Sequence, residues 1–573
     1  MAKAKKKSKS KNDEKLSINS KDLTTKNSNK KSNKSNSSAT KSKTKTISTT
    51  STTQSNPKNN SIFRNSPIYD LLHYFEKAPD QWVARYILIL TSILIRSSIS
   101  LGNYSGFNTP PMYGDFEAQR HWMELTINLP TNKWYFYDLN YWGLDYPPLT
   151  AYHSYILGKI GSFFDSQWFE LDNSRGFESL ELKFFMRFSV LISEIIIFIP
   201  SIMIIAKKLS KKFNWINRID QIILCFLVLN QPHLILIDHG HFQYNCVMLG
   251  FFILTIINLI DNNFIWASFW FVSCINFKQM GLYYSIFIFF YILSQLKNLK
   301  QLITVGLTVI ITQLVFILPF LLQTDFKTQI NQIIIRIFPF NRGLFEDKVS
   351  NFWCISNIIL KYKSFLNLNQ LSKLSLAATL ASIIPINLIL FFKLRKVTDK
   401  NDSEKRKIKL MIFGFSYNSL SFYLFSYQVH EKSILVPIIP IILNYFFITP
   451  TSTSVVELNF IQWINNLSTF SLYPLLKKDE LILQYFVLIF LINWLIGFKN
   501  LLPKITTKRI SIQNLNAIII YLTYFLVVIY HILDFFVATP QNLPDLWVIL
   551  NCFISFLGFI YFWIWLIYLI LIT

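Results

Sequence analysis

The stretch from Tyr113 to Ser154 gathers side chains that could do acid–base chemistry, because acids, aromatics, a histidine and an arginine crowd into it. Its first acid, Asp115, follows Gly114 and precedes the sequence FEAQRHW. Two roles fit this carboxylate. It could cap the N-terminus of a helix, or it could be a general base that takes a proton from an attacking hydroxyl. The local sequence leaves both interpretations open.

Three more ionisable residues follow Asp115 on the same predicted helix. Glu117 and His121 are four residues apart, which puts them on one helix face. Arg120 lies beside them in the sequence. Ionisable groups near a bilayer are costly unless they are paired or used. We therefore take Glu117, Arg120 and His121 as candidate substrate-binding residues.

A second acid, Asp145, stands directly before Tyr146 and two prolines. The prolines remove backbone donors and stiffen the turn. Asp145 could form a local turn or position a substrate. Tyr146 and Trp142 offer flat apolar faces with polar edges, which suit sugar rings but equally suit an interfacial aromatic belt. The same holds for the neighbouring aromatics Trp134, Tyr135, Tyr137 and Tyr141.

Basic side chains in other loops could hold a phosphate, since arginine offers a two-pronged donor and lysine a point charge. These residues are Lys278, Arg336, Arg342, Lys348 and Lys432. Each one alone could also serve a lipid headgroup or a salt bridge. His239 and His241 are a weak metal pattern, because the sequence fixes no third ligand for them. We expect no metal and no cofactor.

The elements that position these loops are membrane helices. The chain has 573 residues, of which 52% are hydrophobic and 15% are charged. Apolar runs of roughly 18–25 residues recur from Trp82 onward, each long enough to cross a bilayer. Only helices or closed barrels satisfy the backbone in lipid, and the runs lack the alternation of a barrel. The fold class is therefore an all-α polytopic membrane protein.

The net charge of +24 does not indicate nucleic-acid binding. Residues 1–60 hold 16 lysines and three acids, and other basic residues cluster in short loops between apolar runs. Such an excess marks the cytosolic side of a membrane protein. Residues 1–65 have almost nothing to bury and are predicted to form a disordered, basic, cytosolic tail.

Charge places every motif-like loop on the far side of the membrane. We expect a first far-side loop at 103–182 and a second at 323–350, with residues 351–362 a short helix that is either on the far side or half-inserted. About fourteen spans are predicted, near 82–102, 184–206, 219–237, 243–260, 264–276, 281–296, 301–322, 372–392, 409–426, 433–449, 458–475, 481–498, 513–537 and 546–571.

Six motifs in these loops resemble a known family. They are GDFEAQRHW, YWGLDYPPLTAYHS, HGHFQYN, NFKQMGLYYS, RIFPFNRGLFEDKVSNFWC and VHEKS. They are similar to motifs of the endoplasmic reticulum (ER) α-1,3-glucosyltransferases that use dolichyl-phosphate-glucose. The resemblance covers about residues 80–573. Within the family, the motifs are closer to members that add the first glucose to the nine-mannose lipid-linked oligosaccharide than to members that add the second.

The resemblance implies a glycosyltransferase fold of the GT-C superfamily in the ER membrane, with the active site at the lumenal face. It implies dolichyl-phosphate-glucose as donor and the dolichyl-pyrophosphate-linked oligosaccharide as acceptor in N-glycosylation, with no cofactor and no nucleic acid. Asp115 becomes the expected general base of an inverting transfer. The resemblance does not resolve which basic residue contacts the phosphate; our order of preference is Lys278, His430, Arg342 and Arg336.

Two alternatives remain at this point. One is the sibling enzyme that adds the second glucose, which requires an acceptor that already carries one. The other is a lipid or solute transporter, which would place ionisable residues inside the spans and show an inverted repeat. The sequence leaves open whether Asn103, in the sequence Asn103-Tyr104-Ser105, is glycosylated.

Overall fold

The computed structural model describes residues 61–77, 80–215, 217–339, 344–345, 347–396, 402–448, 454–503 and 512–573. Every regular element within these ranges is a helix, which confirms the predicted all-α class. Arg342 and residues 1–60 of the predicted tail lie outside the described residues.

The N-terminal half contributes eleven α-helices within the described ranges. These are α1 Pro67–Leu72, α2 Asp80–Ile99, α3 Asp115–Asn128, α4 Pro148–Phe164, α5 Leu180–Ser193, α6 Ile199–Lys212, α7 Arg218–Leu229, α8 Pro232–Ile235, α9 Asn245–Ile260, α10 Phe264–Phe277 and α11 Ser285–Gln295. One π-helical segment, Glu194–Phe198, joins α5 to α6, and another, Leu236–Phe242, continues α8. A 3-10 helix at Gln279–Tyr284 precedes α11.

The C-terminal half continues with α12 Leu299–Leu321, α13 Phe326–Ile337, α14 Phe352–Leu360, α15 Leu368–Lys396, α16 Asp402–Phe425, α17 Leu435–Ile442, α18 Ser454–Ser471, α19 Tyr473–Lys478, α20 Ile482–Ile496, α21 Ile512–Phe536 and α22 Leu546–Ile572. A 3-10 helix at Glu431–Ile434 precedes α17, and another at Leu443–Phe447 follows it.

Six helical segments among the described residues are long and apolar enough to cross a membrane, which makes the chain a multi-pass membrane protein. They are α2, the continuous helix Leu180–Lys212, α12, α15, α21 and α22. A seventh span is possible if α7 and the bent segment Pro232–Phe242 count as one. Each of the six coincides with a predicted span.

The predicted count of about fourteen spans is not confirmed. Several of the other predicted spans form short helices: α9, α10 and α20 have 16, 14 and 15 residues, and α11 has 11. At about 1.5 Å per residue, such helices reach about 24 Å at most, less than the ~30 Å hydrocarbon core. Turns, 3-10 segments and a bend separate these short helices.

Two boundary regions pack more tightly than a tail or a loop would. Ser61 donates a hydrogen bond to Asp220 of α7, and Phe63 is fully buried. The packed body therefore already includes the last five residues of the predicted tail. In the segment predicted as half-inserted, Trp353 of α14 is buried and its indole N–H donates to the carbonyl of Phe425, 2.7 Å away.

A buried ion pair, Arg96 with Glu194, lies inside the candidate spans, where the apolar sequence pattern did not predict one. Arg96 of α2 holds both carboxylate oxygens of Glu194 at 2.8 Å. Its remaining N–H groups donate to the side chain of Asn230 and to backbone carbonyls. His239 contacts the same carboxylate at 2.6 Å. Every charge in this group has a partner, so its geometry is that of a structural brace rather than of a transport pathway.

A bend in the chain after α7 positions His241, which forms one side of the candidate site. Helix α7 and the segment Pro232–Phe242 meet at 41°, since a proline at position 232 cannot continue the hydrogen-bonding of α7. The π-helical segment then ends at Phe242, whose φ of 93° turns the chain. This path brings His241 against the N-terminus of α3.

Candidate active site

Asp115 is the first residue of α3, and Gly114 is the N-cap. The backbone N–H of Asp115 donates to the hydroxyl of Ser105 at 3.3 Å. The carboxylate of Asp115 forms tertiary contacts, so it does not take the capping role that the sequence left open. The partial positive charge of the helix N-terminus favours an ionised acid at this position.

Five side chains from distant segments form what we call the Asp115 cluster: Asp115, His241, Gln243, Lys432 and Asp479. Asp115 Oδ2 lies 2.9 Å from His241 Nε2 and accepts hydrogen bonds from the amide of Gln243 and the ammonium of Lys432. On the other side of the ring, His241 Nδ1 lies 2.5 Å from Asp479 Oδ2. The cluster is the meeting point of α3, the π-helical segment, the 3-10 helix at Glu431–Ile434 and the end of α19.

The cluster has a buried side and an open side. The side chains of His241 and Asp479 are 3% exposed, whereas those of Asp115 and Lys432 are 22% and 20% exposed. Asp115 and Lys432 therefore form the more exposed side of the cluster, while the imidazole and the second carboxylate lie behind them.

The charges around Asp115 keep it ionised. Burial alone would raise its pKa, but Lys432 and His241 outweigh burial and hold the pKa well below its ordinary value. For Lys432, burial favours the neutral form, yet Asp115 raises the pKa above its usual range. The two groups are thus a carboxylate and an ammonium at neutral pH.

Lys278, a predicted phosphate ligand, is coupled to Asp115 through Gln243. The ammonium donates to Gln243 Oε1 at 2.6 Å and to Asn245 Oδ1 at 2.8 Å, and it lies 4.7 Å from the centre of the Tyr146 ring. Burial lowers the pKa of Lys278, and Asp238 opposes that shift. Lys278 is 2% exposed, so a phosphate could contact it only after its surroundings move.

The other predicted phosphate ligands differ in their placement. His430 is half-exposed, lies two residues before Lys432 and forms an ion pair with Asp347. Arg336 of α13 donates to the carbonyls of Gly143 and Leu144 at 2.7 and 3.1 Å, which anchors the loop ahead of Asp145.

Glu117, Arg120 and His121 were predicted to bind substrate, and the structure buries all three. Arg120 holds both oxygens of Glu117 at 2.7 and 2.6 Å and contacts Glu124 at 2.7 Å. His121 contacts Glu124 at 3.1 Å. Spacings of three and four residues put these groups on the helix face that packs against residues 168–174, so their geometry is structural.

The loop that carries Asp145 is fixed by its neighbours. The phenol of Tyr135 donates to the carbonyl of Tyr146 at 2.8 Å. The indole of Trp142 donates to the carbonyl of Met112 at 2.5 Å. Trp134 and Tyr135 are buried in an apolar cluster, against which Tyr137, Trp142 and Tyr146 pack while only partly buried. Asp145 thus lies in a rigid loop next to Tyr146, which covers Lys278.

One group within the described residues could hold a metal ion. Asp347, His430 and Glu431 place their ligand atoms within 4.8 Å of one another. Carboxylate and imidazole groups suit a divalent cation, although the ion pair between His430 and Asp347 already accounts for two of them.

Sequence reasoning missed two members of the cluster and undervalued a third. Gln243 and Asp479 were not assigned to the site, and Lys432 was placed among the basic candidates but not among the preferred phosphate ligands. Asp479 follows two lysines in a short polar turn between apolar runs. That local pattern is typical of a solvated loop and contains no signal for a contact 238 residues away.

Comparison with known proteins identifies relatives along nearly the whole chain. A model of the "ALG6, ALG8 glycosyltransferase family" matches residues 87–566. A relative from Saccharomyces cerevisiae, named dolichyl pyrophosphate Man9GlcNAc2 alpha-1,3-glucosyltransferase, is 44% identical over 89% of this chain and 95% of its own length. A probable enzyme of that name from Schizosaccharomyces pombe is 44% identical over 88% and 95%. One from Pongo abelii is 37% identical over 84% and 96%.

Proposed function

The chain belongs to the ALG6, ALG8 glycosyltransferase family, and we propose that it transfers the first glucose, in α-1,3 linkage, to the Man9GlcNAc2 oligosaccharide on dolichyl pyrophosphate. The acceptor follows from the names of relatives that are 37–44% identical. We propose dolichyl-phosphate-glucose as the donor. The observation that carries the mechanism is the partly exposed carboxylate of Asp115, held ionised between His241 and Lys432.

In the proposed reaction Asp115 is the general base. It accepts the proton of the mannose hydroxyl while the hydroxyl oxygen attacks the anomeric carbon of glucose. The bond between that carbon and the phosphate oxygen breaks, and dolichyl phosphate leaves with the electron pair. A β-linked donor then gives an α-linked product, because one in-line displacement inverts the anomeric centre.

The leaving phosphate needs positive charge more than it needs a proton. Lys432 is the best-placed ligand, because it is part of the cluster and part of its side chain is exposed. His430 lies two residues away and is half-exposed. Lys278 is a buried charge behind Gln243 and would stabilise the phosphate from a greater distance. Arg336 holds the Asp145 loop and would act only through that loop.

We propose that this multi-pass protein lies in the ER membrane, with the Asp115 cluster at the lumenal face and the N-terminus in the cytosol. The support is the distribution of basic loops, which positions the opposite face in the cytosol. Asp115, His241 and Lys432 come from three loops that the charge pattern puts on one side, and all three meet in the cluster.

The test is a transfer assay with purified protein in detergent. It receives dolichyl-phosphate-glucose and, in separate reactions, the nine-mannose acceptor or the same acceptor already bearing one glucose. We expect one glucose to be added to the nine-mannose acceptor only. Transfer to the glucosylated acceptor alone would assign the chain to the second step. Folded protein that transfers to neither would refute the proposed function.

A further inference from the structure

His241 lies between two carboxylates that come from opposite sides of the site. Nδ1 is 2.5 Å from Asp479 Oδ2, and Nε2 is 2.9 Å from Asp115 Oδ2. A neutral imidazole has one N–H donor, and an ionised carboxylate can only accept. Both contacts are favourable together only when the ring carries two protons. The geometry therefore favours an imidazolium between two carboxylates.

The cations around the ring oppose that second proton. Lys432 Nζ is 3.2 Å from His241 Nε2. Arg187 of α5 donates to the carbonyl of Gly240 at 2.7 Å and so lies beside the same segment. Lys278 reaches the cluster through Gln243. Three positive groups on three elements thus disfavour a positive ring.

The neighbouring acids other than Asp115 and Asp479 are engaged elsewhere. Asp238 accepts from Asn245 and from the backbone of Cys246. Glu194 pairs with Arg96 and contacts His239. Glu480 accepts from Asn103. On the buried side of the His241 ring, Asp479 therefore supplies the carboxylate that offsets the three cations.

We propose that Asp479 is a positioning residue that keeps His241 as an imidazolium, and that His241 in turn keeps the Asp115 carboxylate ionised and oriented toward the acceptor hydroxyl. The proposal rests on the proposed function, since it needs Asp115 to be the base. It assigns a role in catalysis to the turn between α19 and α20, which contacts no substrate in this scheme.

The test is the pH profile of glucose transfer by Asp479→Asn. Asparagine keeps the size but removes the charge, so His241 should lose its second proton at lower pH than in the wild type. Asp115 then loses a neighbouring cation and becomes protonated at higher pH. We expect the acidic limb of the kcat/KM profile to shift to higher pH by about one unit. At a given pH on that limb, this shift is about a tenfold loss of kcat/KM. The loss should be smaller on the alkaline side.

Two further variants separate positioning from packing. Asp479→Glu keeps the charge and should retain the wild-type acidic limb even if its rate is lower. Asp534→Asn removes another buried carboxylate that braces α19, through Tyr473 and Lys477. Asp534→Asn should leave the acidic limb of the kcat/KM profile at its wild-type pH. Thermal unfolding in detergent reports whether each variant folds.

The outcomes are distinct. An Asp479→Asn profile lowered by the same factor at every pH, or a limb shift shared by Asp534→Asn, would overturn the proposal. If Asp479→Asn does not fold, Asp479→Glu decides. An acidic limb at higher pH than in the wild type would overturn the proposal, and an acidic limb at the wild-type pH would support it. An inactive wild type would instead reject the proposed function itself.

Discussion

Lys432 donates a hydrogen bond to Asp115 although 317 residues separate the two along the chain. This contact ties the first large loop to the short segment between α16 and α17. It also gives Asp115, the proposed general base, a cation on its more exposed side, where the proposed donor phosphate would have to lie. The lysine thus has two possible partners, the carboxylate before the donor binds and the phosphate afterwards.

Replacing Lys432 by methionine should lower kcat/KM by about 100-fold, the order of loss when one charge-stabilising donor is removed. The loss should be larger at acidic pH. Lys432 lowers the pKa of Asp115, so without it the carboxylate takes up its proton at higher pH. The measurement is the pH profile of transfer. Lys348→Met is the control, since Lys348 is exposed and pairs with Asp545. An unchanged Lys432→Met profile would contradict the assigned contact.

The depressed pKa of Asp115 also predicts a stability effect with a definite sign. Its folded pKa lies below its ordinary value of about 4. The ion pair therefore stabilises the fold fully above that ordinary value, and the stabilisation disappears as the pH falls through the folded pKa. Wild-type protein should lose stability between neutral and strongly acidic pH more steeply than Asp115→Asn, as measured by thermal unfolding in detergent. Equal slopes would contradict the pairing.

Arg120→Gln should destabilise the fold rather than weaken substrate binding. Arg120 is fully buried between Glu117 and Glu124, and removing one partner of a buried pair costs about 3–5 kcal/mol. Arg175→Gln is the matched control, because Arg175 is 31% exposed and pairs with Asp138 and Asp172. It should cost at most about 1 kcal/mol. A stable Arg120→Gln protein with poor acceptor affinity would return Arg120 to the substrate-binding residues.

EDTA should leave transfer unchanged, because Lys432 and His430 can supply the positive charge that the phosphate needs. The check is the initial rate after chelation and after adding back Mg²⁺ or Mn²⁺. Inhibition that either ion reverses would assign a cation to Asp347, His430 and Glu431. Glu431→Gln should then require more of the ion for the same rate.

The sequence was sufficient for the class of fold, and it named Asp115, His241 and Lys432 among the candidate residues. All six long apolar helices match predicted spans, because a run of apolar residues is a local signal. The residues next to Asp115 in the sequence were enough to make it a candidate. The span count is not confirmed at α9, α10, α11 and α20, because these helices are shorter than a bilayer crossing needs.

The contacts between residues of the site could not be predicted from the sequence. A single chain does not say that Asp479 reaches His241 or that Gln243 links Lys278 to Asp115, since both contacts depend on how helices pack. The face of α3 that carries Glu117, Arg120 and His121 was identified correctly, but its partner was taken as substrate. The structure shows Arg120 on this face donating to Trp168 and Ser174, a contact for which the sequence gives no signal.

The central claim is that Asp115 is the general base of glucose transfer, and Asp115→Asn tests it most directly. The variant keeps the size of the side chain and cannot accept the proton, so turnover should fall by about 10²–10⁴-fold while the protein stays folded. Asp138→Asn is the control, since that carboxylate pairs with Arg175 away from the cluster. A folded Asp115→Asn enzyme that transfers glucose at a near-normal rate would contradict the claim.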